Sequence, residues 1–400
     1  MELNNNKSIR VLSLFDGMSC GQQALERIGA NVLKYYASEI DQSAIKVTMA
    51  NYPKTIQLGS VTEVNGYDLP KIDLLIGGSP CQSFSFAGKR KGMATTDNVE
   101  VLTLNHYLQL KKEGYAFEGQ SYLFWEYMRI LQELRAVNPN IKFLLENVLM
   151  GEKWQKILTR AIGINPIQIN SALVSAQNRN RLYWTNIASE KFGLFGDLRC
   201  TIPQPKDKGI LLKDILEVEV DDKYFLSDKG LDYINRNKRN LAFQMDEYDN
   251  KSSCITAVFQ KQIPYNQIVV HNTMPRSSKT GKGVEKDNLV FTKNYVQYDI
   301  SGKGYKSQQD RAFYEGGKHG CLATARGETK NGVLENGKIR RLTPIECERL
   351  QTVKDNYTNY VSNSKRYKML GNGWTVDVIA HILSYFLKAV IPPLTALSPK

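Results

Sequence analysis

A series of short apolar runs through the N-terminal half constrains this chain more than anything else in it. They lie at residues 9–15 (IRVLSLF), 32–41 (VLKYYASEID), 55–58, 72–76, 141–148 (IKFLLENV) and 167–172. Each is shorter than a buried helix needs, and most are cut off by glycine, proline or a charged residue. Between them lie stretches of helical period at residues 22–28 (QQALERI), 42–51, 121–134 (SYLFWEYMRILQEL) and 154–162. Strand and helix alternating for so long predict a doubly wound α/β domain with a buried, mostly parallel sheet. Such sheets bind ligands at their carboxyl edge.

The rhythm stops at about residue 188. Gly, Lys, Asn and Ser become frequent, as in GKGVEKDN, SGKGYKS, YEGGKHG and RGETKNG, and the strands become short. A second, smaller, irregular and partly β domain is expected over residues 188–339. Order returns with RRLTPIECERLQ, where Thr343, Pro344 and Glu346 read as the cap, first turn and early acid of a helix. A loop (RYKMLGNGW) and a long apolar-faced helix from about Thr375 follow, able to cover the first domain. The expected division is therefore 1–187 plus 340–400, with 188–339 inserted.

Lys and Arg number 53 against 40 Asp and Glu, a net charge of +13 over 400 residues. That balance points to a polyanionic partner, most simply nucleic acid. No apolar run reaches the roughly 18 residues of a membrane span. The polar start, MELNNNKSIR, lacks a signal-peptide core, so the default compartment is the cytoplasm. The 6 cysteines form no CxxC pair, which removes zinc spacing and a disulfide framework. Most read as small buried hydrophobes.

Cys81 is the exception. The run ending at Ile76 passes through Gly77-Gly78-Ser79-Pro80 straight into this thiol. Another run ends at Asp16-Gly17, followed by Gly21 and a helix. This is a strand–turn–helix ligand site in which GxGxxG is not met. A nicotinamide or flavin is disfavoured, and a nucleoside without a pyrophosphate stays open. Glu39, at the next strand end, stands where a carboxylate accepts from ribose hydroxyls. Glu146 ends the 141–148 strand, and with Arg179 and Arg181 it converges on Cys81 if the sheet is so ordered. Residues 88–120 read as a long mobile loop containing or preceding a short helix, a potential lid beside the thiol.

In chain order the pieces VLSLFDGMSCG, SEID, GGSPCQSFSFAGKRKG, LLENV, QNRNRLYW, LTPIECERLQ and LGNGWTVDVIAHI form a set that resembles the cytosine-5 DNA methyltransferases. The resemblance covers roughly residues 9–187 and 340–390. Its first and last pieces are most like the branch containing the animal de novo enzymes, with a bacterial or phage source expected. The unmatched middle corresponds to that family's variable target-recognition domain. The resemblance implies a class I S-adenosylmethionine-dependent methyltransferase fold. It also implies methyl transfer to carbon 5 of a flipped-out cytosine in duplex DNA, through a covalent Cys81 adduct.

By the same resemblance, Glu146 contacts the cytosine's Watson–Crick edge, Arg181 its carbonyl, and Arg179 supports the site or a phosphate. S-adenosylmethionine is the implied cofactor. Phe15, Asp16, Gly17, Met18 and Gly21 would hold its methionine end and turn, Glu39 its ribose and Ile40 its adenine. Ser60, Val61, Pro80, Leu123, Asn372, Gly373 and Trp374 complete the set. The family usually carries Asp where this chain has Ser60, and a hydroxyl accepts from the adenine amino group more weakly. Gln82, Ser85, Lys89, Arg90 and Lys91 would meet DNA, and no metal is implied. A monomer is expected, and a cognate restriction enzyme or phage DNA protection are both open contexts. Two alternatives stay open: cytosine-5 methylation of RNA, and a catalytically silent DNA-binding relative.

Overall fold

The structure, a computed structural model, describes residues 8–80, 93–193, 196–224, 297–299, 311–314, 332–335 and 338–390. Cys81, Gln82, Ser85, Lys89, Arg90 and Lys91, and most of the expected second domain, lie outside the described residues.

The alternation is realised as β1 (Ile9–Leu14), α1 (Cys20–Arg27), β2 (Val32–Ser38), α2 (Gln42–Asn51), β3 (Ile56–Gln57), β4 (Leu74–Gly78), α3 (Leu104–Lys112), α4 (Phe124–Val137), β5 (Lys142–Val148), α5 (Glu152–Ile162), β6 (Ile167–Asn170) and β7 (Asn180–Thr185). These strands form one sheet in the order β3-β2-β1-β4-β5-β7-β6. The pairings from β3 through to β5 are parallel, and β7 runs antiparallel between β5 and β6.

Strand side chains alternate between two cores. Val11, Leu74, Ile76 and Leu144 face one, while Leu12, Leu14, Leu75, Phe143 and Leu145 face the other. Each such side chain is fully buried, which contributes about 1.5–3 kcal/mol apiece.

A hairpin, β8 (Ser189–Phe192) and β9 (Asp197–Cys200), follows β7. A separate four-stranded sheet comprises β10 (Gln297–Asp299), β11 (Arg311–Tyr314), β12 (Gly332–Glu335) and β13 (Lys338–Arg341). Three helices then close the chain: α6 (Pro344–Leu350), α7 (Asn363–Asn372) and α8 (Val376–Val390). Thr343 and Glu346 form a reciprocal cap on α6 with Pro344 in its first turn. α8 packs against α1 and completes the first core, tied by Asp377 to Arg27 and to Lys208 (2.6 Å). Among the described residues no helix is long and apolar enough to cross a membrane.

Three expectations change. Within the stretch 88–120, read as a mobile loop containing or preceding a short helix, the helix is α3 and the described residues from 93 on are packed rather than loose. Thr95 is buried, and Val101, Tyr107 and Leu110 share the second core with the side chains of α4. The Tyr107 hydroxyl (2.5 Å) and Lys111 (2.6 Å) both donate to Glu126, which is wholly buried and needs those donors. Residues 188–217 are not separate from the first body either. Ile202, Leu212 and Ile215 lie in its core, and Arg349 donates to the Ile215 carbonyl at 3.0 Å. Finally, Leu370, Gly371 and Asn372 are the last turn of α7, not loop.

Candidate active site

The chain turns sharply out of β1. Phe15, Gly17 and Ser19 all take the left-handed conformation, with φ of 57°, 58° and 61°. For the two non-glycine residues this costs on the order of 1 kcal/mol each, the kind of strain that collects at functional turns. Between them Asp16 accepts the Tyr35 hydroxyl at 2.8 Å. Burial pushes its carboxyl up to about 6, against the pull of the Ser13, Tyr35 and Ser19 hydroxyls.

Glu39, just past the end of β2, faces this turn. One oxygen accepts the Gly17 amide (2.8 Å), and the other accepts the amides of Ile40 (2.7 Å) and Asp41 (2.8 Å). Ile40 itself is 64% exposed, an unusual position for isoleucine at a sheet edge. A fixed carboxylate, an exposed apolar side chain and a buried acid beside a strained turn fit a nucleoside carrying an ammonium group. Ser60 stands at the next strand end, its hydroxyl 2.7 Å from that of Thr62.

Other residues of the expected cofactor set have structural duties. A Cβ on Gly21 would lie 2.3 Å from Ile76 Cδ1 and 2.7 Å from the Tyr35 hydroxyl, so this glycine seats α1 on the sheet. A Cβ on Gly373 would come within 2.7 Å of Met18 Cε. Met18 is thus the core side chain on which the C-terminal segment closes. Val61 is buried in the second core, and Leu123 is half-buried against it. Asn372 is exposed at the end of α7.

The other half of the site lies where β4, β5 and β7 meet. Gly78 and Glu146 are register partners, and so are Glu146 and Tyr183. Arg181 lies two residues along β7 from Tyr183, on the same face and diagonal to Glu146. Glu146 Oε1 is 3.0 Å from Arg181 Nε, and Oε2 accepts the Trp374 indole N–H at 3.1 Å. Asn147 donates to the Ser79 carbonyl (3.3 Å) and hydroxyl (3.0 Å). That fastens the segment through Pro80 that leads to Cys81.

Arg179 is only 4% exposed and donates to the carbonyls of Gly371 (3.3 Å) and Gly373 (3.0 Å). These bonds support the closing segment. Sequence reasoning assigned nothing to Gln351, although it ends the quoted motif LTPIECERLQ. Wholly buried, Gln351 donates to the carbonyls of Leu370 (2.6 Å) and Gly373 (3.2 Å) and accepts from Gln177 (3.2 Å) and Thr375 (2.9 Å). The other described cysteines are inert by environment. Burial pushes the Cys20 thiol up to about 12 and raises Cys200 and Cys347 as well.

The family model for C-5 cytosine-specific DNA methylase matches residues 9–162 and 168–388. An orphan methyltransferase of Bacillus phage SPR is 27% identical, over 96% of this chain and 98% of its own. A type II methyltransferase of Herpetosiphon aurantiacus is 25% identical over the same shares, 96% and 98%. Among solved structures, a methyltransferase of Entamoeba histolytica superposes with a TM-score of 0.55 at 14% identity, covering 96% of this chain and 100% of that one. A DNMT2 protein of Spodoptera frugiperda gives 0.52 at 16%, covering 95% and 99%. At these identities the two structures speak for the shared methyltransferase fold. The family match spans nearly the whole sequence: the chain belongs to the C-5 cytosine-specific DNA methylases and is a DNA (cytosine-5) methyltransferase.

Proposed function

We propose that this enzyme methylates carbon 5 of a flipped-out cytosine in a specific duplex DNA sequence, through a transient bond from Cys81. The observation that carries this reading is Glu146, a strand-end carboxylate held by Arg181 on one oxygen and Trp374 on the other, in register with the strand that leads to Cys81. A carboxylate has about four acceptor positions. Among the described residues one position accepts the indole N–H and the other oxygen is ion-paired with Arg181, and the remainder suits the amino edge of a cytosine.

Carbon 5 of cytosine is a poor nucleophile. The Cys81 thiolate adds to carbon 6, a C–S bond forms, and the ring electrons move onto the N3–carbonyl side and carbon 5. Arg181 at the carbonyl stabilises that charge where it develops, and a proton passed to N3 through the Glu146 carboxyl at the Watson–Crick edge neutralises it. Asp16, Gly17, Glu39 and Ile40 would hold S-adenosylmethionine, with Phe15 and Trp374 beside them. Bound there, it supplies an electrophilic methyl group on a sulfonium. Once carbon 5 carries the methyl group, a base removes its proton, the C–S bond breaks, and the thiolate is restored. A cytosine stacked in the duplex is out of reach, so the base leaves the helix at a cost of a few kcal/mol.

Lys89, Arg90 and Lys91 are assigned to the DNA backbone. Residues 188–339 form the target-recognition part, in which the stretch to 217 also serves as packing for the catalytic body. Relatives of both orphan and type II kinds suit a modification enzyme that protects DNA, with or without a cognate nuclease.

The test uses a mixed-sequence duplex pool containing 5-fluorocytosine. Fluorine does not leave as a cation, so the final elimination stalls with the protein still attached. With S-adenosylmethionine present, a denaturation-resistant protein–DNA complex is expected, and Cys81→Ser forms none. No complex, or one that persists in Cys81→Ser, overturns the reading. Trapping on RNA in preference to DNA favours the RNA alternative.

A further inference from the structure

The indole of Trp374 belongs, by family resemblance, to the cofactor pocket. Its N–H, however, donates to Glu146, the carboxylate that the proposed function sets at the base. Three observations bear on this. The indole N–H donates to Glu146 Oε2 at 3.1 Å, while Arg181 faces Oε1 at 3.0 Å, so the two oxygens are held by different elements and the carboxylate plane is fixed. The space for this contact depends on Gly78, where a Cβ would sit 2.8 Å from Trp374 Nε1 and 3.0 Å from Glu146 Oε2. The backbone that carries the indole is itself pinned. The Gly373 carbonyl accepts from Arg179 (3.0 Å) and Gln351 (3.2 Å), and Thr375 bonds both Ser171 (2.8 Å) and Gln351 (2.9 Å).

We infer that Trp374 is a positioning residue for Glu146: its N–H holds the carboxylate in the orientation that receives the target base. The inference rests on Glu146 being the base-contacting group of the proposed function. One hydrogen bond, from the indole, and one ion pair, with Arg181, fix the plane together, whereas the ion pair alone, being less directional, leaves the carboxylate free to turn. The free rotamer then has to be restored each time a cytosine enters. The ring and the N–H of Trp374 accordingly have separable duties, the ring packing on the first core and the N–H serving the base.

The full-length protein carrying Trp374→Phe keeps an aromatic ring and loses the donor. Its KM for S-adenosylmethionine should stay within about threefold of wild type, while kcat falls roughly tenfold, as expected for losing one hydrogen bond to a charged group. The second measurement needs no turnover. With 15N-labelled indoles there are 4 tryptophan side-chain resonances, and Trp374→Phe identifies one of them. Glu146→Gln should move that resonance and leave those of Trp125, Trp154 and Trp184 in place. An unmoved resonance overturns the inference. So does a Trp374→Phe enzyme with wild-type kcat and a greatly raised cofactor KM, which would make the residue a pocket wall only. Wild-type protein that fails to trap 5-fluorocytosine DNA counts against the function, whereas the indole resonance reads the contact independently.

Discussion

Two buried carboxylate–guanidinium pairs sit in the same half of the molecule and differ in what surrounds them. Glu348 accepts from the Thr358 amide (2.8 Å), the Thr358 hydroxyl, Arg366 (3.0 Å) and the Asn356 amide (2.7 Å). Arg366 in turn donates to Thr358 (2.9 Å) and Asn359 (3.3 Å). The Glu348 side chain is fully buried, and its acceptor capacity is spent within the chain. Glu146 and Arg181 keep 11% and 14% of their side-chain surface at the carboxyl edge, and among the described residues Glu146 meets only Arg181 and Trp374. A saturated pair holds helices together, and an unsaturated one at a sheet edge keeps acceptor positions for something that arrives.

Mutation should separate them cleanly. Glu146→Gln is expected to lower methyl transfer by about 100- to 1000-fold, the range for losing one charge-stabilising group, with little change in melting temperature. Glu348→Ala leaves the Arg366 charge buried and should cost about 3 kcal/mol of stability, read as a lower urea midpoint. Activity per folded molecule should survive that change. An inactive but fully stable Glu348→Ala protein would break the distinction.

Asp16 extends the comparison to pH. Its folded value of about 6 lies above its ordinary 3.8. As pH rises through that window the unfolded chain releases the proton first, so folding loses on the order of 2 kcal/mol between pH 4 and 6 and no more above it. Asp16→Asn should therefore melt at the same temperature as wild type near pH 4 and several degrees higher at pH 7.5, with weaker cofactor binding. Such a trade marks a residue kept for its ligand. The smallest effect is expected at the adenine side. Ser60→Asp offers a stronger acceptor than a hydroxyl that already contacts Thr62, and should tighten cofactor binding by roughly three- to tenfold, measured by calorimetry.

Much of this was legible in the sequence because strand ends are loud. Apolar runs that stop at Asp16-Gly17, Glu39, Gly78 and Glu146 gave the sheet and both carboxylates. What stayed hidden depends on packing between distant segments. Gly21 reads as a ligand glycine, yet only the neighbouring Ile76 and Tyr35 reveal that it makes room for a helix. Gly371 and Gly373 suggest a loop, but the buried face of α7, with Tyr367, Met369 and Leu370, carries the helix through Gly371. Residues 95–118 hide Tyr107 and Leu110 among lysines and glycines, so their periodicity is faint until α4 is set against them. Gln351 looks ordinary until its partners at Gln177 and along residues 370–375 are known.

The position of α8 has a consequence for synthesis. The core on the α1 face contains Ile9 and Val11 together with Ile379, Leu383 and Phe386. A ribosome that has produced the whole Rossmann-like half has therefore made a sheet with one apolar face still open. The part of that face that α1 leaves open stays uncovered until residues 344–390 emerge, after the whole middle segment has been translated. The contacts that close it span more than 350 positions of sequence, the kind of non-local pairing that folds slowly and exposes aggregation-prone surface meanwhile. Arg179, Gln351 and Trp374 come together in that same final step.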